Sequence, residues 1–475
     1  MLGAALSFVV PWNAIAAVFI VLAQTLAGLS AFTLAYRLLP ERAALFSAAV
    51  YAANPYALLI IYMRSDFAEL LAMTFFPLLV LATLQIGGIV DSLGRSPLTS
   101  IVAFAFAFAA VWLSNVPAAV LASYSCALLF GWAAFTKRSL LPLVRGAAGF
   151  ALGFGLAGFY LVPAVYEQRW VNIAQTLSFG LVPSENFLYS QIDDPEHTLF
   201  NWIASTLAVM LVSLTGASAI AASRRATNGE RLLGDKPWRS LLLLAALASL
   251  LMLRLSAFLW ELLPELRFVQ FPWRWMSMLA VSFAIFFGAA TARSRWIWPA
   301  AVFVAISGTA VALVQHAWWD TEDIPVLREA IATGTGFEGT DEYDPLEDDH
   351  TNIPIKAPEA VTLGVEAPSS AKTGARIRVD SWTAEEKDLQ VNSQAPVRLG
   401  LRLLNYPAWR VEVNGHELAP ERGEDFSQMI VPAPAGESRI RVGFVRTRDR
   451  TLGGMLSAVS LLIALLLLFR LSPWA

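Results

Sequence analysis

Charged residues and cysteine are both scarce in this chain of 475 residues. Only 15% of the residues are charged, whereas a soluble domain has about 25%. This composition excludes a purely soluble enzyme and a disordered chain. The formal net charge of −3 gives no basic surface for nucleic acid, which is excluded as a partner. The single cysteine, Cys126, excludes a disulfide framework and a cysteine-based zinc site.

Histidine is sparse as well, and the four histidines do not have the spacing of zinc ligands. In the polar segment 164–198, the pair Asp193-Asp194 lies close to His197, and such groups can bind a divalent metal. A run of this kind is more often a solvated loop. The sequence therefore predicts no metal site and no cofactor.

Long apolar runs fill most of the chain, which is 56% hydrophobic with a mean hydropathy of +0.56. A bilayer core needs a helix of about 20 apolar residues, and about eleven runs approach that length. They lie at 14–38, 43–61, 68–90, 98–114, 117–135, 141–163, 199–222, 240–259, 272–292, 296–316 and 452–469. The pattern predicts a polytopic α-helical membrane protein with about eleven transmembrane helices.

The basic residues of the connections alternate along the chain. One set of connections contains Arg37, Arg42, Arg95, Lys137, Arg138, Arg293, Arg295 and the run 224–239. The alternate set contains only Arg64, Arg169, Arg267 and Arg274. By the positive-inside rule the first set is cytoplasmic. The protein is therefore predicted to be multi-pass, with the long polar segment between Asp320 and Asp449 outside.

That polar segment differs from the rest in charge and in pattern. It holds 24 of the 37 acidic residues, between Asp320 and Asp449. Within it, stretches such as 397–403 and 439–444 alternate apolar and polar residues, as half-buried antiparallel strands do. Asn414-Gly415 between two such stretches indicates a type I′ hairpin. We predict an extracytoplasmic β-sandwich domain before the last helix.

These patterns divide the chain into four parts. We predict a multi-helix transmembrane domain at 1–316, an acidic linker at 317–355 and the β-sandwich at 356–449. A final transmembrane helix with a short cytoplasmic tail completes the chain at 450–475.

A first group of polar residues lies between two apolar runs, at 62–69. Asp66 and Glu69 are three residues apart, so they share one face of a helix that begins at the membrane surface. One interpretation is a helix N-terminus at which the helix dipole favours acids. The other is a carboxylate pair beside Arg64, positioned to bind phosphate and to move a proton.

A second group lies at 261–275, where Arg267, Gln270 and Arg274 are interspersed with four aromatic residues. One interpretation is an interfacial aromatic belt with arginines that extend towards water. The other is a pocket for an anionic lipid head group, with aromatic rings that stack on a sugar or a prenyl chain.

Four stretches resemble one bacterial family, the 6-pyruvoyl-tetrahydropterin synthase-related membrane proteins. They are 51–78, the motif Gln270-Phe-Pro-Trp-Arg274, the element Glu342-Tyr343-Asp-Pro345 and the segment 404–415. The family is similar to polytopic glycosyltransferases of the GT-C type, which use polyprenyl-phosphate sugars. The resemblance implies location in the bacterial cytoplasmic (inner) membrane and a substrate-binding role for Glu342 and Tyr343. It implies no pterin chemistry, because the sequence lacks a zinc-binding histidine pattern.

Enzymes similar to the GT-C type usually begin with a helix and a long outer loop that carries the acidic residue for acceptor activation. This sequence begins at what corresponds to the end of that loop, without a basic leader. Either the sequence is a fragment or mis-started, or this member lacks that acidic residue. If the loop is truly missing, the resemblance implies that catalysis falls on Asp66 or Glu69, or is lost.

The predicted function is transfer of a sugar from a polyprenyl-phosphate donor to an envelope acceptor, which is a glycan, a lipid or a protein. A sugar donor outside the membrane must arrive on a lipid carrier, so the site needs cations for the phosphate and a carboxylate for the acceptor hydroxyl. Arg64, Arg267 and Arg274 are the candidate phosphate ligands, with Gln270 beside them. The alternative is a non-catalytic envelope protein, either a carrier-lipid transporter or an assembly scaffold.

Overall fold

The computed structural model describes residues 2–92, 96–227, 232–316, 375–423 and 427–470, with short pieces at 325–326, 328–329, 345–346, 353 and 357–363. The chain divides into two compact units. The helical unit comprises Met1–Gly158, Leu177–Trp318 and Met455–Ala475. The β unit comprises Phe159–Thr176 and Trp319–Gly454. The segment Phe159–Thr176 thus groups with the strands, although it follows an apolar run directly. Most of the predicted acidic linker lies outside the described residues.

The described α-helices follow one another along the chain with short connections. Their bounds are α1 Leu2–Leu6, α2 Ile15–Tyr36, α3 Glu41–Ala52, α4 Pro55–Leu59, α5 Phe67–Met73, α6 Phe76–Ile86, α7 Pro97–Ser114, α8 Val116–Lys137, α9 Leu141–Leu156, α10 Gly158–Glu167, α11 Pro195–Thr227, α12 Asp235–Leu251, α13 Ala257–Leu262, α14 Met276–Thr291, α15 Ile297–Val314 and α16 Arg448–Arg470.

Within the described residues, nine helical stretches are long and apolar enough to cross a membrane. Three of them are longer than a single element: Glu41–Arg64 contains α3 and α4, Phe67–Ile86 contains α5 and α6, and Pro272–Thr291 contains α14. Two further pairs reach that length together but are bent, α9 with α10 by 77° and α12 with α13 by 90°. Each of the eleven predicted runs coincides with one of these helices or pairs, so the prediction of a mostly helical protein with many apolar helices is confirmed.

The two bends occur where single residues leave the helical conformation. Ala157 has φ −85° and ψ 3° after α9, and Leu253 is extended after α12, with φ −93° and ψ 141°. One residue outside the helical region ends the ladder of i to i−4 hydrogen bonds, and the chain then restarts in a new direction.

The helix α14 is the centre of the helical unit. It packs against α3, α11 and α12, and 14 of its 16 residues are buried. A helix that is apolar on every side is stable only when other elements surround it. Its N-terminal extension, the 3₁₀ turn Pro272–Trp275, is buried as well, and this placement fixes Arg274 inside the unit.

The strands form two antiparallel sheets. They are β1 Ala360–Leu363, β2 Arg376–Trp382, β3 Glu386–Ser393, β4 Val397–Leu404, β5 Trp409–Val413, β6 His416–Leu418, β7 Glu421–Arg422, β8 Gln428–Ala433 and β9 Gly436–Phe444. The orders are β1-β4-β8-β7 in one sheet and β2-β3-β9-β5-β6 in the other. Alternate apolar residues of both sheets form one buried cluster. A β-rich region before the last helix is therefore confirmed.

The hairpin prediction is confirmed in detail. Val413 pairs with His416, and the two residues between them have positive φ, 50° at Asn414 and 81° at Gly415. Positive φ at both central residues defines the type I′ turn. The Asn414 side chain also accepts a hydrogen bond from the Arg439 amide, 2.8 Å away.

Candidate functional site

Four of the predicted site residues meet within the helical unit. Arg64 and Asp66 come from the segment that joins α4 to α5, Glu69 comes from the first turn of α5, and Arg274 comes from the turn before α14. Their side chains form a network of ion pairs, called here the arginine–carboxylate cluster. The two sequence groups that were interpreted separately thus contribute to one site.

The backbone before α5 is irregular. Residues Ile60–Arg64 form a π-helical turn, a rare element that often occurs at functional sites. Ser65 follows in the left-handed region with φ 50°. The Phe67 amide then bonds the Ser65 carbonyl at 2.9 Å, which closes a three-residue turn around Asp66. This sequence of turns brings Arg64 back over the start of α5.

Glu69 is fully buried and is contacted on both carboxylate oxygens. Its Oε1 accepts a hydrogen bond from the Tyr56 hydroxyl at 2.5 Å. Its Oε2 lies 2.7 Å from Arg64 Nη1 and 3.3 Å from Arg274 Nε. One hydroxyl and two guanidinium groups therefore surround this carboxylate. Sequence reasoning missed Tyr56, which lies in an apolar stretch without a polar pattern.

Asp66 has two functions within the cluster. Its Oδ1 accepts the Glu69 amide hydrogen at 2.9 Å and so caps the N-terminus of α5. Its Oδ2 lies 3.2 Å from Arg64 Nη2 and 3.5 Å from Arg274 Nη2. Asp66 thus caps α5, as the helix-terminus interpretation expects, and it also pairs with two guanidinium groups.

Arg274 is held by the backbone as well as by the carboxylates. Its Nη1 donates to the Val269 carbonyl at 2.8 Å. Directly after Val269, Gln270 has φ 65° and ψ −52°, and the Phe271 amide bonds back to Val269 at 2.7 Å. This is the strained three-residue turn with positive φ. Such strain persists only where the surroundings enforce it, often at functional sites.

Aromatic rings flank both guanidinium groups. The Arg64 guanidinium lies 5.0 Å from the Trp273 ring and 5.5 Å from the Phe271 ring. The Arg274 guanidinium lies 5.1 Å from the same Phe271 ring. These distances are within the range of cation–π attraction. Trp273 and Trp275 are buried, so they line the interior of the unit and do not form a surface belt.

The cluster joins two formal positive and two formal negative charges in a buried place. Charges of this kind persist in an apolar interior only when they are paired. The side chain of Arg64 is 12% exposed and that of Asp66 is 18% exposed, whereas Glu69 is closed from solvent. The arrangement can therefore present cationic donors to an anion at the Arg64–Asp66 edge.

The remaining predicted residues are placed elsewhere. Arg267 is exposed, with its guanidinium 4.9 Å from the Phe268 ring. Gln270 is half-buried at the centre of the strained turn. Glu342 and Tyr343 lie outside the described residues.

The polar segment before α11 is organised by hydrogen bonds among protein groups. Asp194 Oδ1 accepts the amide hydrogens of Glu196 and His197. The His197 ring Nε2 lies 2.7 Å from Asn186 Oδ1. Across the part of the chain that the structure describes, no group of three or more His, Cys, Asp or Glu side chains is arranged to hold a metal ion.

No family model, curated protein or solved structure matches this chain.

Proposed function

We propose that this chain is a glycosyltransferase-like protein of the bacterial cytoplasmic membrane. It transfers a sugar from a polyprenyl-phosphate donor to an envelope acceptor outside the cell. The observation that carries the proposal is the convergence of Arg64 and Arg274 on two carboxylates within an apolar helical unit. In this proposal the two sheets form a β-sandwich on the extracytoplasmic side, where it binds or orients the acceptor.

The arginines supply what the donor requires. A phosphate linked to lipid and sugar carries negative charge, and this charge grows on the leaving oxygen as the bond to the sugar breaks. Guanidinium groups bind phosphate through two parallel hydrogen bonds, and fixed cations stabilise charge that develops in the transition state. Arg64 reaches solvent with 12% of its side chain, so it is the arginine that contacts the donor first.

A carboxylate completes the chemistry. The acceptor hydroxyl attacks the anomeric carbon, the bond from that carbon to the phosphate oxygen breaks, and its electron pair stays with the phosphate. The proton of the hydroxyl passes to a carboxylate. Asp66 is the better candidate base, because Glu69 is closed from solvent and contacts Tyr56, Arg64 and Arg274.

The test is a transfer assay with the purified chain in liposomes that contain polyprenyl-phosphate glucose, labelled in the sugar, and an extract of envelope acceptors. Wild-type protein is expected to yield labelled acceptor. Arg64→Ala is expected to lower the rate by about a hundredfold, since removal of one oxyanion-stabilising group costs roughly 10²–10³. Arg295→Ala is the matched control, because this arginine is exposed in the connection between α14 and α15, which is predicted to face the cytoplasm.

A non-catalytic role is the second candidate. It is favoured because both carboxylates already accept hydrogen bonds from groups of the protein. A carboxylate that is held in this way is less available as a base. A transporter or scaffold needs only the binding of the carrier lipid. In the same liposomes, such a protein would bind polyprenyl-phosphate glucose and would yield no labelled acceptor. Arg64→Ala would weaken this binding.

A further inference from the structure

The two carboxylates of the arginine–carboxylate cluster are not equivalent. The Glu69 side chain is 0% exposed, and its ion pair with Arg64 is 2.7 Å long. The Asp66 side chain is 18% exposed, and its pairs with Arg64 and Arg274 are longer, at 3.2 and 3.5 Å. Glu69 is therefore the fixed anion of the cluster, and Asp66 is the anion at the accessible edge.

We infer that Asp66 occupies the position of a ligand phosphate and is exchanged for it, so that Asp66 excludes other anions until a phosphate with one negative charge binds. This inference rests on the proposed anion site at Arg64 and Arg274. The ligand chemistry is a phosphate with one negative charge, either in a lipid head group or free.

The charges of the cluster favour such an exchange. Two guanidinium groups are balanced by Asp66 and Glu69, so an added anion would leave an excess negative charge in an apolar place. A phosphodiester that takes the place of the Asp66 carboxylate between the two guanidinium groups carries the same single charge. The displaced carboxylate then turns to the accessible edge, where the Asp66 side chain is already 18% exposed. Glu69, which also accepts a hydrogen bond from Tyr56, continues to hold both arginines during the exchange.

The local backbone permits the exchange without unfolding α5. Asp66 precedes the first turn of this helix, and only its Oδ1 has a capping function, towards the Glu69 amide. Its Oδ2, which contacts the arginines, has no such function. Because both oxygens belong to one planar group, a rotation of the side chain away from Arg64 and Arg274 also weakens this cap, at a cost of about 1 kcal/mol. It yields a free carboxylate at the accessible edge of the cluster. That free group is the one that the proposed transfer needs as a base.

The experiment measures binding of polyprenyl-phosphate glucose to the full chain in nanodiscs, for wild type and Asp66→Asn. Asparagine caps helices as well as aspartate does, so the variant removes the charge and retains the cap. If Asp66 competes with the phosphate, the variant binds the lipid more tightly than wild type does. The Kd is expected to fall about tenfold, which corresponds to roughly 1.4 kcal/mol of binding free energy. Asp66→Ser, a second capping residue, is expected to act in the same direction.

Two ligands, polyprenyl-phosphate glucose and inorganic phosphate, distinguish a lipid head group from the free ion. Unphosphorylated polyprenol measures binding that does not depend on phosphate. Tighter binding of the lipid alone identifies a lipid head group, whereas a matching gain for inorganic phosphate identifies the free ion. Asp388→Asn in the β unit is the matched control. Its carboxylate lies 3.1 Å from Arg439 Nε, which lowers the pKa of Asp388 by a hydrogen bond, and its removal is expected to leave Kd unchanged.

Equal or weaker binding of polyprenyl-phosphate glucose by both Asp66 variants, with melting temperatures like that of wild type, would overturn the exchange. The proposed function fails separately. If wild type and Arg64→Ala bind this lipid equally well, the cluster is not the donor site, whatever the Asp66 variants do.

Discussion

At the scale of single residues, the stability of the helical unit depends strongly on Glu69. We expect Glu69→Gln to lower the free energy of unfolding by about 3–5 kcal/mol, the usual cost when one partner of a buried ion pair is removed. The reason is that Arg64 and Arg274 would retain only Asp66 as a counter-charge. Thermal or denaturant unfolding of the detergent-solubilised protein measures the change.

Tyr56→Phe is the control for this prediction. It removes one hydrogen bond to the Glu69 carboxylate and leaves every charge in place, so the expected loss is about 1.5–3 kcal/mol, the contribution of a hydrogen bond to a charged group. Similar losses for the two variants would show that packing, and not charge balance, dominates around Glu69. In that case the cluster would not require two anions, and the charge argument for exchange at Asp66 would lose its basis.

At the scale of helices, α7 and α9 approach closely because α9 presents glycines to aromatic rings. An ideal Cβ on Gly153 would lie 2.8 Å from Phe108 Cδ1 and 3.1 Å from the Ala105 carbonyl oxygen. The carbonyl belongs to the backbone and cannot rotate away. We expect Gly153→Ala to destabilise the protein by about 1–3 kcal/mol, the cost of overpacking.

The matched control is Gly131→Ala in α8, where a Cβ would meet nothing within 4 Å. Alanine favours a helix over glycine by about 0.5–1 kcal/mol, so this variant is expected to stabilise the protein slightly. The two substitutions are chemically identical and differ only in their surroundings. Melting temperatures of both variants in the same detergent test the comparison, and a shift of the same sign in both would contradict it.

The elements that the sequence predicted well are those with a local signal. A run such as 98–114 contains enough apolar residues to be recognised as α7, and the Asn414-Gly415 turn needs only two residues. The bends at Ala157 and Leu253 left no such signal, because hydropathy records composition and not backbone angles.

The same limit applies to the site. The spacing of Asp66 and Glu69 is local and was read as one helix face. Their contacts with Arg274 join segments far apart in the chain, so no local pattern showed that the two polar groups meet. Tyr56 was missed for a similar reason: its hydroxyl is polar, but its neighbours are apolar and its partner is known only from the fold.

At the scale of the whole molecule, the charges of the connections predict an orientation in the membrane, and labelling of introduced thiols can measure it. Cys126 is the only cysteine and is 0% exposed, so the native chain offers no accessible thiol. Two exposed positions take a cysteine without loss of an ion pair: Ser139, between α8 and α9, and Ala395, between β3 and β4. Ser139 lies next to Lys137 and Arg138, in a connection expected inside.

We expect a membrane-impermeant maleimide to label Ala395→Cys in intact spheroplasts and Ser139→Cys only after lysis. Wild-type protein, with its buried thiol, is the control for background labelling. The reverse pattern would place the β unit in the cytoplasm, where nucleotide sugars are available. The argument for a lipid-linked donor depends on a site outside the membrane. It would then lose this premise, whatever the arginine–carboxylate cluster binds.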